Sequence, residues 1–176
     1  MAPPRVWLSK LLIWLSLSCT ENDLCQVTGA STGLGRHVTE TVLKHGDIVV
    51  AGVRKPEAMS DLSVQHSTQR LLVLQLDVTK SDEITRAFAT IEVTFGRLDV
   101  VLNNAGVGIL SEVEGVPDAV ARYLFDVNFW GALFVSREAV RFFREVNASG
   151  VGGRIIQSSS QTSISAAAGC AMYSAS

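Results

Sequence analysis

The end of the sequence carries a tyrosine that could move a proton. Tyr173 lies three residues before Ser176, the last of the 176 residues. A lysine four positions after a tyrosine shares its helix face, and the lysine charge lowers a phenol pKa from about 10 toward the working range. Such a pair serves as a general acid and base. The sequence stops one residue before that position, so we expect these residues to be built for proton transfer but not to complete it.

A glycine-rich loop, residues 28–35, has the spacing of a phosphate-binding turn. Gly29 suits a tight turn, Gly33 lets backbone N–H groups approach a pyrophosphate, and Gly35 lets the next helix pack closely on the strand. The N-terminus of that helix would then hold the anion. An ordinary turn is the alternative for such a loop taken alone. The candidate phosphate-binding residues are Gly29, Ser31, Thr32, Gly33, Leu34 and Gly35.

Apolar runs alternate with longer helical segments along the chain. The runs are short, continuous and rich in leucine and β-branched residues, which predicts parallel strands buried on both faces. They cover residues 24–28, 48–53, 71–76, 100–103 and 154–158. Helices are predicted over residues 34–45, 81–95 and 118–144, with another beginning near Gly169. This order indicates an α/β fold with a doubly wound parallel sheet in one domain.

Composition favours a globular domain that acts on small molecules. The hydrophobic content of 47% is ordinary for a folded core, and a net charge of −2 offers no basic surface for nucleic acid. The apolar run at residues 11–17 is too short to span a membrane. Cys19, Cys25 and Cys170 are too few and too scattered for a disulfide framework. We therefore expect a reducing, cytoplasmic location.

Together with the glycine-rich loop, five ordered motifs that follow it make the sequence resemble the short-chain dehydrogenase/reductase family from about Val27 to the last residue. After the glycine-rich loop come residues 76–79, 103–106, 127–131, Ser160 and residues 173–176. The resemblance implies that residues 27–176 form a Rossmann-like dinucleotide-binding domain that is truncated after the fifth strand. It also implies reversible hydride transfer between a nicotinamide cofactor and a carbonyl or alcohol carbon.

The resemblance also assigns roles to individual residues. Tyr173 would be the general acid and base, Ser160 the hydroxyl that polarises the substrate carbonyl, and Asn128 the support for a proton-relay water. Ser160 lies thirteen positions before Tyr173, which is the family spacing. Asp77 would face the adenine, and Asn104, Ala105 and Gly106 would line the cofactor cleft. The alternatives are a turn or capping carboxylate at Asp77, a turn asparagine at Asn104, and a simple strand end at residues 158–160.

The end of the second strand bears on the choice between NADP and NAD. An acidic residue there binds the ribose 2′-hydroxyl of NAD, whereas an arginine suits the 2′-phosphate of NADP. Counted as in the family, the acidic position is Val53, followed by Arg54 and Lys55. We therefore expect Arg54 to bind NADP, with NAD the weaker cofactor. The alternative is that Arg54 and Lys55 are a solvated surface pair.

Residues 1–26 depart from the family pattern. Residues 5–8 look like a first strand that should lead directly into Val27, yet residues 9–26 intervene. Residues 24–27 can substitute for that strand, but they bury Gln26 where the family has an apolar side chain. A retained intron or a faulty gene model is the leading interpretation. The rival is a secretory signal in residues 1–19, in which case the sequon at Asn147 would matter.

Two functions are compatible with this sequence. In the first, these residues are the N-terminal portion of an NADP-dependent oxidoreductase that is inactive in this truncated form. Its partners would be a small carbonyl or alcohol substrate and, in a full-length form, further copies of itself. In the second, they are a non-catalytic nucleotide-binding fragment. Neither function involves nucleic acid, a metal ion or a membrane span.

Overall fold

A parallel sheet organises the computed structural model, which describes residues 22–165 and 167–176. Five strands are found in these residues, and their order across the sheet is β3-β2-β1-β4-β5. They are β1 (Leu24–Thr28), β2 (Ile48–Val53), β3 (Leu71–Gln75), β4 (Val100–Asn103) and β5 (Arg154–Gln157). Every pair of neighbours is parallel. The predicted α/β sheet is confirmed, with β3 and β5 each one residue shorter than expected.

Helices cover both faces of this sheet. They are α1 (Gly33–Lys44), α2 (Ser60–Ser63), α3 (Ser81–Phe95), α4 (Asp118–Phe125), α5 (Ala132–Glu145) and α6 (Ala171–Ala175). The prediction of one regular helix over residues 118–144 is wrong in one respect, because a π-helical segment, Asp126–Gly131, separates α4 from α5. No helix in the described part of the chain is long and apolar enough to cross a membrane.

The core has two parts, one on each face of the sheet. The face covered by α1 buries a cluster that includes Val27, Val38, Val42, Val49 and Leu102. The face covered by α3 and α5 buries a second cluster that includes Leu24, Val50, Phe88, Ile91 and Phe142. Because β1 lies between β2 and β4, its side chains are covered on both faces. This double burial explains why the strand sequences are continuous apolar runs.

Two contacts hold the π-helical segment in place. The side chain of Asn128 bonds both backbone groups of Val107, accepting from the N–H at 2.9 Å and donating to the oxygen at 2.9 Å. Gly131 lies so close to the chain at Val78 that a Cβ would stand 2.7 Å from Val78 Cγ2. The extra residue of the π-helical turn lets the helix make both contacts, and such turns are frequent at functional sites.

Carboxylates fix the start of β1 at the opposite end of the sheet. Asp47 accepts a hydrogen bond from the N–H of Asp23 at 3.1 Å, and Asp99 accepts one from the N–H of Leu24 at 2.7 Å. Burial raises the pKa of the Asp47 carboxyl, and the bond from Asp23 offsets part of that effect. The alternative strand at residues 5–8 and the signal-like segment, residues 1–19, lie outside the described residues.

Asn147, the asparagine of the sequon, is a buried structural residue. Its side chain accepts a hydrogen bond from the N–H of Leu98 at 3.0 Å and donates one to the oxygen of Leu98 at 2.7 Å. The same amide nitrogen donates to the oxygen of Gly152 at 2.6 Å. Asn147 therefore ties the chain after α5 to the segment before β4, and the fold does not present it on the surface.

The burial expected for Gln26 is confirmed. The residue is 0% exposed, and neither its amide nitrogen nor its amide oxygen has a hydrogen-bond partner among the described residues. Side chains alternate along a strand, so Gln26 lies on the same face as Leu24, whose cluster is apolar. An amide buried without a partner costs on the order of 1–3 kcal/mol.

We predict that Gln26→Leu raises the free energy of unfolding by about 1–3 kcal/mol, because it replaces this unpartnered amide with an apolar side chain. Urea unfolding of both proteins measures the effect as a higher midpoint at an unchanged slope. Gln75→Leu is the matched control, since Gln75 is exposed on β3. A midpoint for Gln26→Leu at or below that of the parent protein contradicts the prediction.

Candidate active site

A buried threonine joins the carboxyl ends of the two central strands. The Oγ1 atom of Thr28, at the end of β1, accepts hydrogen bonds from the N–H groups of Asn104 and Ala105, both at 3.0 Å. The side chain of Asn104 returns the connection, donating to the carbonyl oxygens of Thr28 at 2.9 Å and Gly29 at 3.3 Å. The glycine-rich loop and the segment after β4 are therefore held together.

Each glycine of the loop is favoured at its position for a different geometric reason. Gly29 has φ +65° and Gly33 has φ +57°, which other residues adopt only with strain. A Cβ on Gly35 would lie 2.4 Å from the carbonyl oxygen of Gly29, so only glycine lets α1 approach the loop this closely. Around Gly33, by contrast, a Cβ would meet no described atom within 4 Å. The backbone at Gly33 is thus open to an approaching group.

Beside this loop lies a cleft of about 310 Å³, the glycine-loop cleft. Its walls are the loop, the residue after β2, the segment after β3, the segment after β4, and the helix formed by α4 and the π-helical segment. Every residue predicted to bind the cofactor except Gly35 lines it: Gly29, Ser31, Thr32, Gly33, Leu34, Arg54, Asp77, Asn104, Ala105 and Gly106. Gly35 lies behind the loop, where it serves the close packing expected from the sequence.

Arg54 is an unpaired cation at the mouth of this cleft. It is exposed, and no carboxylate of the described residues forms an ion pair with it. Among the described residues its side chain makes one hydrogen bond, from Nη1 to the hydroxyl of Tyr123 at 3.3 Å. Arg36 shows the contrast: it binds Asp61 at 2.6 Å, and this bond lowers the pKa of the Asp61 carboxyl. Arg54 keeps its charge available to the cleft.

Asp77 forms a turn and lines the cleft at once. Its Oδ1 atom accepts hydrogen bonds from the N–H of Thr79 at 3.0 Å and the hydroxyl of Thr79 at 2.8 Å. Its own N–H donates to Glu83 at 2.7 Å, which joins the turn to the first residues of α3. The turn carboxylate considered for the sequence is therefore present, and it occupies a position on the wall of the glycine-loop cleft.

A second cleft, of about 210 Å³, brings the three candidate catalytic residues together. Asn128, Ser160 and Tyr173 all line it, although they come from three separate segments of the chain. We call it the tyrosine cleft. It shares Asn104, Ala105 and Gly106 with the glycine-loop cleft, so the two clefts adjoin at the end of β4.

Ser160 is held by its neighbour in an orientation that leaves its proton available. Its Oγ atom accepts from the N–H of Thr162 at 3.3 Å and from the hydroxyl of Thr162 at 2.9 Å. A serine hydroxyl that accepts two hydrogen bonds still has one proton to donate. Ser158 and Ser159 also line the tyrosine cleft, so lining alone does not select among the three serines.

Asn128 also holds neighbouring segments of the chain together. Besides its two bonds to Val107, its amide nitrogen donates to the hydroxyl of Ser176 at 2.9 Å. Asn128 therefore links the π-helical segment to the loop after β4 and to the residue that follows α6. The ring of Tyr173 borders this same loop, since a Cβ on Gly108 would lie 3.7 Å from it.

Sequence reasoning missed two residues that shape these clefts. Thr28 is the first residue of the glycine-rich loop, but its hydroxyl binds Asn104 and Ala105, which lie 76 and 77 positions further along the chain. No local pattern in the sequence reveals these contacts. Tyr123 lines the glycine-loop cleft beside Val127, four residues further along. That helical spacing places both on one face and could have indicated Tyr123.

Comparison of the sequence with known proteins identifies the family of this chain. The sequence profile described as short chain dehydrogenase matches residues 24–176. An uncharacterized oxidoreductase of Schizosaccharomyces pombe is 37% identical over 150 residues, which are 85% of this chain and 49% of that protein. An NAD-dependent glycerol dehydrogenase of Listeria innocua is 32% identical and covers 78% of this chain and 52% of its own length. The chain thus spans about half the length of the curated relatives it matches.

Solved structures agree with the sequence comparison. A short-chain dehydrogenase from Streptomyces avermitilis superposes with a TM-score of 0.81 at 30% sequence identity, over 89% of this chain and 55% of that one. A matching profile over most of the chain, relatives above 30% identity and this fold lead to one conclusion: the chain belongs to the short-chain dehydrogenase family.

Proposed function

We propose that these residues form the nucleotide-binding and catalytic part of an NADP-dependent oxidoreductase that transfers hydride between nicotinamide and a carbonyl or alcohol carbon. The observation that carries the proposal is the junction of the two clefts at Asn104, Ala105 and Gly106. A long two-part ligand could lie across that junction, with phosphates at the glycine-rich loop and its reactive end beside Ser160 and Tyr173.

The glycine-loop cleft has features that fit a dinucleotide. The backbone at Gly33 is open, and α1 begins there, so the first N–H groups of this helix lack intrahelical acceptors at residues that line the cleft. Such a helix terminus favours a pyrophosphate. The first turn of α1 contains no acidic residue that would repel the anion. Apolar side chains of Leu76, Val78 and Val127 complete the walls and suit an adenine ring.

The residues of the tyrosine cleft have complementary chemical roles in this proposal. A nicotinamide ring supplies or accepts the hydride when the cofactor is bound. The hydroxyl of Tyr173 gives a proton to the substrate oxygen during reduction and takes it back during oxidation. Ser160, with its own proton still available, donates a hydrogen bond to the same oxygen. Asn128 positions the loop after β4 and the residue after α6. In this proposal its side chain also supports a proton-relay water.

Cofactor choice rests on Arg54. A guanidinium with no carboxylate partner among the described residues can bind a 2′-phosphate bidentately, whereas the family position for the NAD-selecting acid holds Val53. The relatives do not decide the matter, because one of them is named NAD-dependent. The charge at the cleft mouth supports NADP.

Location and assembly are further parts of the proposal. The sparse, scattered cysteines support a cytoplasmic location. Phe129 and Trp130 are 48% and 46% exposed and make an edge-to-face contact with each other. The groove beside Trp130 carries charges of both signs, at Asp118, Arg122 and Asp126. Such a surface can complement a second copy of itself, which supports a homo-oligomer for a full-length form.

The 176 residues by themselves are proposed to be inactive. A polypeptide of these residues alone contains Tyr173 without a lysine four positions further along to orient the nicotinamide ribose. Binding and catalysis then separate, since every candidate cofactor-binding residue lies within these residues. A non-catalytic nucleotide-binding fragment remains the second candidate function for this polypeptide.

We predict that the polypeptide binds NADP(H) more tightly than NAD(H), and that Arg54→Ala weakens NADP(H) about 10-fold or more while changing NAD(H) little. Calorimetric titration of both cofactors into both proteins gives the four dissociation constants. Lys55→Ala is the control, because Lys55 neighbours Arg54 without lining the cleft. Equal affinities of the parent protein for the two cofactors would remove NADP from the proposal.

We also predict that the 176-residue polypeptide shows no turnover, whereas an extended polypeptide with a lysine at position 177 and the remaining strands of a relative is active. NADPH oxidation with aldehydes, ketones and quinones is the assay. Tyr173→Phe in the extended polypeptide should lower kcat by about 100-fold or more, since it removes the transferable proton. Turnover by the short polypeptide that disappears with Tyr173→Phe shows that its site already works. Turnover that survives Tyr173→Phe in the extended polypeptide removes Tyr173 from its role.

A further inference from the structure

We infer that Tyr123 acts with Arg54 as a clamp on the 2′-phosphoadenosine end of the cofactor and helps to select NADP. This inference rests on the proposed function, which it extends to a residue with no assigned role. Tyr123 lies on α4, and Arg54 follows β2, so the two side chains come from different elements that line the glycine-loop cleft. A hydrogen bond of 3.3 Å between Nη1 of Arg54 and the phenol oxygen of Tyr123 joins these two elements.

The direction of this hydrogen bond leaves donors on both partners. Arg54 donates, so the phenol oxygen of Tyr123 is the acceptor, and the phenol proton is available to another group. A guanidinium has five N–H donors in a planar fork, and a single bond to Tyr123 occupies one of them. A phosphate beside the two side chains could therefore accept from the free N–H groups of the guanidinium and from the phenol together. A ribose without that phosphate offers no comparable set of acceptors.

The ring of Tyr123 has a separate use from its hydroxyl. Tyr123 is 40% exposed, so its ring is accessible to a ligand in the cleft. Beside it in the cleft are Val127, one helical turn further along, and Val78 from the segment after β3. A flat aromatic ring beside apolar side chains is a suitable surface for an adenine. The hydroxyl and the ring therefore affect different parts of the ligand.

Calorimetric titration with two nucleotides separates these contributions. The probes are 2′,5′-ADP, which carries the 2′-phosphate, and 5′-ADP, which does not. Tyr123→Phe removes the hydroxyl and keeps the ring, so the Kd for 2′,5′-ADP should rise about 3- to 10-fold with no change for 5′-ADP. Tyr123→Ala removes both, so the Kd values of both probes should rise.

A double-mutant cycle tests whether the two residues act as a unit. In the Arg54→Ala background, Tyr123→Phe should raise the Kd for 2′,5′-ADP by a smaller factor than in the parent protein, because the phosphate no longer binds the guanidinium. Lys55→Ala is the control, because Lys55 does not line the glycine-loop cleft, and it should leave the Kd for 2′,5′-ADP unchanged.

The outcomes distinguish this inference from the function on which it rests. If the parent protein binds neither probe, the nucleotide site and the clamp are both overturned. If it binds both probes and Arg54→Ala has no effect, the NADP assignment fails, and the clamp fails with it. If Arg54→Ala weakens 2′,5′-ADP while Tyr123→Phe and Tyr123→Ala leave both probes unaffected, the clamp alone is wrong. Thermal melts of each variant confirm that a weaker affinity reflects the lost group rather than unfolding.

Discussion

The buried hydroxyl of Thr28 is the contact on which both clefts depend. It holds the N–H groups of Asn104 and Ala105, while the Asn104 amide holds the carbonyls of Thr28 and Gly29. The ends of β1 and β4 are thus locked together at the edge where parallel sheets bind ligands. Because residues 104–106 line both clefts, a shift of this junction would move the glycine-rich loop relative to Ser160 and Tyr173.

A second constraint acts through the π-helical segment. Asn128 fixes the loop after β4 through Val107, and Gly131 lets the helix approach the segment after β3 at Val78. This helix therefore forms a wall of the glycine-loop cleft on one side and contributes Asn128 to the tyrosine cleft on the other. The irregular turn changes where the following residues lie, because in a regular α-helix those residues would stand at a different angle around the helix axis.

Burial and spacing made much of this structure predictable from the sequence. The strands follow from continuous apolar runs, and the cleft at the strand ends follows from the glycine-rich loop and the family motifs that come after it. The break at Asp126–Gly131 was not predictable, since its cause lies in contacts with Val78 and Val107 that are distant in sequence. The contact between Arg54 and Tyr123, 69 residues apart, was hidden for the same reason. Gln26, by contrast, could be identified from the sequence, because a polar amide in an otherwise apolar strand conflicts with the burial of that strand.

The central claim is that one dinucleotide lies across the two adjoining clefts. The most direct measurement is an NMR titration of the 15N-labelled chain with NADPH, followed through the backbone amide signals. The account predicts that the largest shift changes lie in residues 29–35, at Arg54 and in residues 104–106, and that smaller changes extend to Ser160 and Tyr173. Saturable changes concentrated on other surfaces, or no changes at millimolar NADPH, would contradict it.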